Sequence, residues 1–338
     1  MTNSNNLTNS KKRQFRALAL LTVLCIYLVV LAGGVVRGTG SGMGCPDWPK
    51  CFGRWIPPTH ISQLPVNYQE IYGAKLKGEV EFNATKTWIE YINRLIGAFS
   101  GFIVFVTLIA SLSFLKTNKP IVLGSFAAFI LIGLNGWLGA KVVSTELAQY
   151  MITIHFLLAI LVVFALLYVF ARADSDANTE LSVHQYTTLS RLLIATLVIS
   201  TIQVVLGTQV RTALDQVVNR LGYEQRVNWI DNLDWHFYVH RSFSILVLVL
   251  HIAVVYQIRK VIQGTSVYKL GVTMMAIVVM EIVSGVIMAY GGVPAAMQPI
   301  HLLLAVVMIG LQYMAWLRIS PKSERLESQL ETVSSQRL

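Results

Sequence analysis

The residues best equipped for chemistry in this chain are histidines set in apolar surroundings. The frame Met-x-x-Ile-His-x-Leu-Leu-Ala occurs at 151–159, around His155, and returns at 297–305, around His301. Each copy puts an imidazole at the start of a long apolar run, where a polar side chain is costly to bury and needs a partner. For His301 that partner is His240. Two neutral imidazoles brought from facing helices to one depth can supply both axial ligands of a haem, with the macrocycle between helices and the propionates toward water. Zinc fits less well, since third and fourth ligands of the right type are not evident nearby. The plainer alternative is a pair of core histidines hydrogen-bonded to carbonyls.

Around His155 the chemistry differs. The position matching His240 is Asn93, so a haem held by His155 would have one strong ligand and an open coordination position. Glu90 precedes Asn93 by three residues and lies on a neighbouring part of the same helical face. A carboxylate at the edge of lipid is either satisfied by a nearby arginine, here Arg94, or functional. Arg37, Arg94, Arg211 and Arg241 stand at span ends, where guanidinium groups pair with carboxylates such as haem propionates or snorkel to headgroups. Cys45 and Cys51 enclose a turn stiffened by two prolines. Outside a membrane such a pair can oxidise, as a redox-active couple or as a structural disulfide contributing about 2 to 3 kcal/mol in the chain-entropy model. Cys25 reads as a small buried apolar residue. His251 shares the face of His240 roughly 16 Å deeper, without a histidine of matching depth on the last span. His236 is one turn before His240, and His60 and His184 fall in loops without an assigned role.

These side chains need a scaffold, and the composition says which kind. Hydrophobic residues make up 54% of the 338 and charged residues only 13%, against about 25% charge in a soluble domain. A spanning helix takes roughly 20 mainly apolar residues, and eight such runs are present, at 17–36, 88–114, 121–143, 150–171, 192–210, 237–258, 270–290 and 300–319. The net charge of +10 comes from basic residues dispersed at helix ends, so it marks orientation and not a nucleic-acid partner. Lys11, Lys12, Arg13 and Arg16, then Lys116 and Lys119, Arg259 and Lys260, and Arg318, Lys322 and Arg325 all fall on one side. The positive-inside rule makes that side cytoplasmic, with both termini on it. Lys50, Arg54, Lys75, Lys77 and Lys86 in the first loop weaken the contrast. The first apolar run lacks a cleavage pattern, and residues 1–10 read as a disordered tail.

The two halves repeat. Gly33–Arg37 matches Gly207–Arg211, Asn93-Arg94 matches His240-Arg241, Gly139 matches Gly285 and His155 matches His301; the last three pairs share nearly one offset. The expected architecture is an all-α integral membrane protein of eight transmembrane helices in two pseudo-symmetric four-helix bundles. Residues 1–171 form the first, with a long extracytoplasmic loop at 38–87, and 191–338 form the second. A solvated cytoplasmic linker at 172–190, carrying Asp174, Asp176 and Glu180, joins them. Four spans per unit give a parallel repeat about an axis along the membrane normal, so equivalent sites lie at equal depth, toward the outer leaflet.

The run from Gly33 to Gly53, GGVVRGTGSGMGCPDWPKCFG, closely resembles the start of haem A synthases, and Glu90-Tyr-Ile-Asn-Arg94, His155, His240-Arg241 and His301 resemble the family's later signatures. The resemblance covers nearly the whole chain. It implies a bacterial inner-membrane enzyme that oxidises a methyl group of haem O to formyl by successive hydroxylations, giving haem A for cytochrome oxidase. It also implies a resident haem b between His240 and His301, a substrate site at Asn93 and His155, Glu90 as the catalytic carboxylate, and Cys45–Cys51 as a disulfide in redox transfer or haem handover. The family pattern has histidine at position 93, so the asparagine departs from it. Expected partners are haem O, membrane lipid, haem O synthase and oxidase assembly factors, with homo-oligomerisation left open. The alternatives are a b-type cytochrome that only transfers electrons, linked to quinone, and a haem chaperone without chemistry.

Overall fold

The fold comes from a computed structural model, which describes residues 2–73, 82–174, 178–222 and 224–322, with the side chains of 2–9 left aside. Lys75, Lys77, Asp176 and Arg325 lie outside the described residues. Among those described, eight helices are long and apolar enough to cross a membrane: α1 (Thr2–Gly38), α3 (Ala84–Ser111), α4 (Lys119–Ser144), α5 (Gln149–Ala173), α6 (Val183–Leu221), α7 (Trp235–Ile262), α8 (Ser266–Tyr290) and α9 (Met297–Leu317). A short helix, α2 (Tyr68–Tyr72), sits in the first loop. Even α9, with 21 residues, reaches about 30 Å, the thickness of a bilayer's hydrocarbon core.

The outward faces are apolar. Leu24, Phe102, Leu123, Val249 and Val286 are each at least half exposed, a pattern that is stable only where the solvent is lipid. Inside, α1, α3, α4 and α5 pack as one bundle and α6, α7, α8 and α9 as the other. The bundles share a core in which Val23, Ile26 and Val30 of α1 and Ile160, Val163 and Leu166 of α5 meet Val306 and Ile309 of α9. Gly34 lets α1 and α9 approach closely, since a Cβ there would lie 2.9 Å from the Pro299 backbone. Small residues at such crossings let backbones approach without a hydrophobic drive.

Three expectations change at the ends of the helices. Residues 2–10, read as a disordered tail, continue α1, because extending an existing helix avoids the cost of nucleating one. Helix α6 runs to Leu221, well beyond the expected span. Its end carries Ala213, Leu214 and Val217, which pack with Trp229, Leu233 and Val293 in a small cluster. The stretch at 172–190 is not simply a solvated linker. Asp174 is buried and pairs with Arg16 at 2.8 Å and Arg318 at 2.7 Å, and Arg318 also donates to the Asp174 carbonyl at 2.6 Å. After it, β1 (Thr179–Leu181) runs parallel to β2 (Ile319–Pro321). This knot fixes the start of the second bundle against the end of α9 and the entry of α1.

Removing one member of a buried ion pair leaves the other charge uncompensated, at a cost of about 3 to 5 kcal/mol. Asp174→Ala is therefore expected to lower the thermal midpoint of the detergent-purified protein by several degrees, measured by circular dichroism. An unchanged midpoint would show that the knot carries no stability.

Candidate haem-binding sites

The helix ends that bear the candidate residues gather on the face that carries the first loop. Asn93 lies near the start of α3, His155 near that of α5, His240 near that of α7 and His301 near that of α9. Each meets a glycine near the end of the preceding span. A Cβ would lie 4.0 Å from Asn93 Oδ1 if placed on Gly33, 3.4 Å from His155 Cε1 on Gly139, 3.2 Å from His240 Cε1 on Gly207 and 3.7 Å from His301 Cε1 on Gly285. The glycines that mark the sequence repeat are thus the floors on which the four polar side chains rest. A larger residue at Gly207 would push His240 toward the bundle core.

In the second half the two imidazoles are brought together. The His240 and His301 rings lie with centroids 6.4 Å apart and planes at 76°. One metal bound to both rings, with bonds of about 2 Å and ring nitrogens about 1 Å from the ring centres, separates the centroids by about 6 Å. A pair of imidazoles at this separation would admit one metal ion between them, so the donor set fits a haem iron. The imidazoles are held differently. His240 has a buried Nδ1 with no hydrogen-bond partner among the described residues, while Gln203 donates to the His240 carbonyl at 3.0 Å. His301 Nδ1 lies 2.7 Å from Glu281 Oε2 and 2.8 Å from Ser284 Oγ.

In the first half, His155 Nδ1, Asn93 Oδ1 and Asn135 Oδ1 are buried without a hydrogen-bond partner among the described residues. Buried polar atoms of a folded protein are ordinarily satisfied, so such atoms leave bonding capacity for a ligand. Glu90, 3% exposed, is by contrast fully engaged. Its Oε1 accepts from Arg94 at 2.5 Å and its Oε2 from the Cys45 amide at 2.7 Å. Arg94 also donates to the carbonyls of Cys45, Asp47 and Lys50. The loop is pressed onto the first turns of α3. Thr87 donates to the Gly44 carbonyl at 2.9 Å, and a Cβ on Gly44 would fall within 2.6 Å of the Lys86 carbonyl carbon. Cys45 and Cys51 form a disulfide with no exposed surface, packed with Phe52, Leu64 and Tyr68.

The other arginines have partners of their own. Arg37 and Arg211 converge on Asp215, Arg211 at 2.8 Å, and Arg211 donates to the Arg37 carbonyl at 3.0 Å. Arg241 is exposed and lies over the Tyr238 ring. His251 is fully buried, its Nδ1 on the Val247 carbonyl at 2.7 Å and its Nε2 2.6 Å from the Gln312 amide nitrogen. His236 binds Asp234 at 2.7 Å at the start of α7. Sequence reasoning missed Asp215, Glu281 and Ser284. The first was visible as an acid four residues after Arg211 on one helical face, and the second as a lone carboxylate within an apolar span.

Comparison with known proteins identifies the family. The profile of the COX15-CtaA family, described as cytochrome oxidase assembly protein, matches residues 16–313. Similar proteins include a heme A synthase of Bartonella bacilliformis, 32% identical over 47% of this chain and 48% of its own length, and one of Shewanella oneidensis, 27% identical over 65% and 64%. A heme A synthase of Brucella anthropi is 25% identical over 91% of this chain and 94% of its own. The chain thus spans about half to just under two thirds of the first two and nearly all of the third. With the family profile matched from the first span into the last, the chain belongs to the COX15-CtaA family.

Proposed function

We propose that this protein is a haem A synthase, an enzyme that oxidises a methyl group of haem O to the formyl group of haem A. The observation that carries the reading is the repeated cradle of glycine and polar ligand, which gives two sites at one depth with unequal ligand sets. The relatives' names agree with it. His240 and His301 would hold a resident haem b, which when bound supplies one-electron transfer. His155 would hold the iron of the haem O substrate, while Asn93 offers it only a weak amide donor. Arg241 is the propionate partner at the second site, whereas Arg37 and Arg211 already share their charge with Asp215. The distribution of Arg16, Arg259, Lys260 and Arg318 opposite the loop supports a bacterial inner-membrane protein with both termini cytoplasmic.

Glu90 acts with the loop and not apart from it. Each of its oxygens accepts a hydrogen bond that favours the ionised form, so opening the Arg94 or Cys45 bond raises its affinity for a proton. A carboxylate in that position links movement of the loop to proton handling beside the substrate. The disulfide is a brace in this account, because its sulfurs are enclosed by the loop's own aromatic cluster.

Three outcomes test the proposal. With haem O supplied in membranes, Glu90→Ala is expected to abolish haem A formation, read by pigment chromatography, while the resident haem spectrum stays intact; normal yield contradicts a catalytic role. His240→Ala is expected to lose resident haem, and His155→Ala to keep it while losing haem O binding. Equal loss in both variants would contradict two separate sites. The double variant Cys45→Ser/Cys51→Ser is expected to destabilise the loop by about 2 to 3 kcal/mol, seen as faster amide exchange across 44–54, while retaining haem at His240 and His301. Loss of that haem would contradict a purely local brace.

A further inference from the structure

We infer that Glu281 is a positioning residue that makes His301 an electron-rich ligand and holds the second-half haem toward its oxidised state. The inference rests on the haem reading of the His240–His301 gap. Glu281 lies within the apolar helix α8, and its carboxylate reaches His301 Nδ1 at 2.7 Å. Ser284 donates its hydroxyl proton to the Glu281 carbonyl at 2.9 Å, so its oxygen is free to accept from the same Nδ1 at 2.8 Å. With two acceptors facing it, Nδ1 carries the proton, and Nε2 is left as the basic nitrogen. A carboxylate on the far nitrogen of a ligating imidazole fixes the tautomer and raises ligand basicity.

The repeat supplies the contrast that gives this contact meaning. Glu281 and Asn135 stand in the same offset as Gly285 and Gly139, and as His301 and His155. The neutral Asn135 is 5% exposed, and neither its side-chain oxygen nor His155 Nδ1 has a hydrogen-bond partner among the described residues. One scaffold thus places a carboxylate behind one histidine and an amide near the other. The other oxygen of Glu281, Oε1, is buried without a hydrogen-bond partner among the described residues. A carboxylate so placed in an apolar span is costly unless positive charge lies close by. Oxidised haem iron carries one more positive charge than reduced iron, so the carboxylate favours the oxidised form, and the haem becomes a stronger reductant.

The test is potentiometric titration of the haem absorption bands in the purified full-length protein and in Glu281→Gln. The variant is expected to keep a bis-imidazole spectrum and to become easier to reduce by at least tenfold in the equilibrium, which is 59 mV for a one-electron couple. Glu281→Asp, which keeps the charge, is expected to restore most of the shift. A Gln variant that binds haem at an unshifted potential overturns the inference. If Glu281→Gln takes up no haem, Ser284→Ala decides, because it leaves the carboxylate as sole acceptor: a potential below that of the parent supports the inference, and an unchanged or raised one overturns it. A parent protein lacking any bis-imidazole haem would instead count against the haem reading itself.

Discussion

The constraint on which the loop-facing end of this protein depends is the space between facing helices, set by glycines where other residues would fill it. An imidazole in an apolar helix is tolerated only where something satisfies it. Here Gly207 and Gly285 let the His240 and His301 rings sit back against neighbouring backbones, leaving their centroids 6.4 Å apart. A side chain at Gly207 would crowd His240, whose Cε1 would lie 3.2 Å from the added Cβ, whereas at Gly285 a Cβ would just touch His301. With glycine at both positions, the gap has the width that one doubly ligated iron requires.

The sequence repeat sets matching residues beside matching glycines in both halves, and substitution then separates the two copies. Position 93 is asparagine where the second half has His240, and position 135 is asparagine where the second half has Glu281. Both changes act in one direction. The second site gains a second strong ligand and an anionic support, which suits a cofactor that stays and passes electrons. The first keeps one imidazole and several unsatisfied polar atoms, which suits a molecule that must enter, react and leave. The covering loop also belongs to the first half only, with Arg94 and Glu90 pinning its disulfide turn to α3.

Much of this was legible in the sequence for physical reasons. Spans follow from apolar runs of the necessary length, and the repeat from matched Gly and His positions, so the pairing of His240 with His301 needed only equal depth. What was not legible depends on how helices rotate and how loops dock. The pairing of Arg94 with Glu90 is legible from their spacing, but the loop carbonyls that also take its guanidinium are not, since no spacing rule places them beside it. Asp174 looked like a linker residue because its neighbours are polar; its burial arises from Arg16 and Arg318, which converge from opposite ends of the sequence. Glu281 is legible as a lone acid in an apolar span, but that it faces His301 depends on how α8 and α9 are rotated against each other.

The central claim is that the two sites bind iron differently, and electron paramagnetic resonance of the oxidised, purified protein tests it most directly. The account predicts one low-spin bis-imidazole haem in the protein alone. Added haem O should then give a second signal without bis-imidazole character, absent in His155→Ala. A second bis-imidazole signal on adding haem O, or a bis-imidazole signal that survives loss of His240, would contradict it.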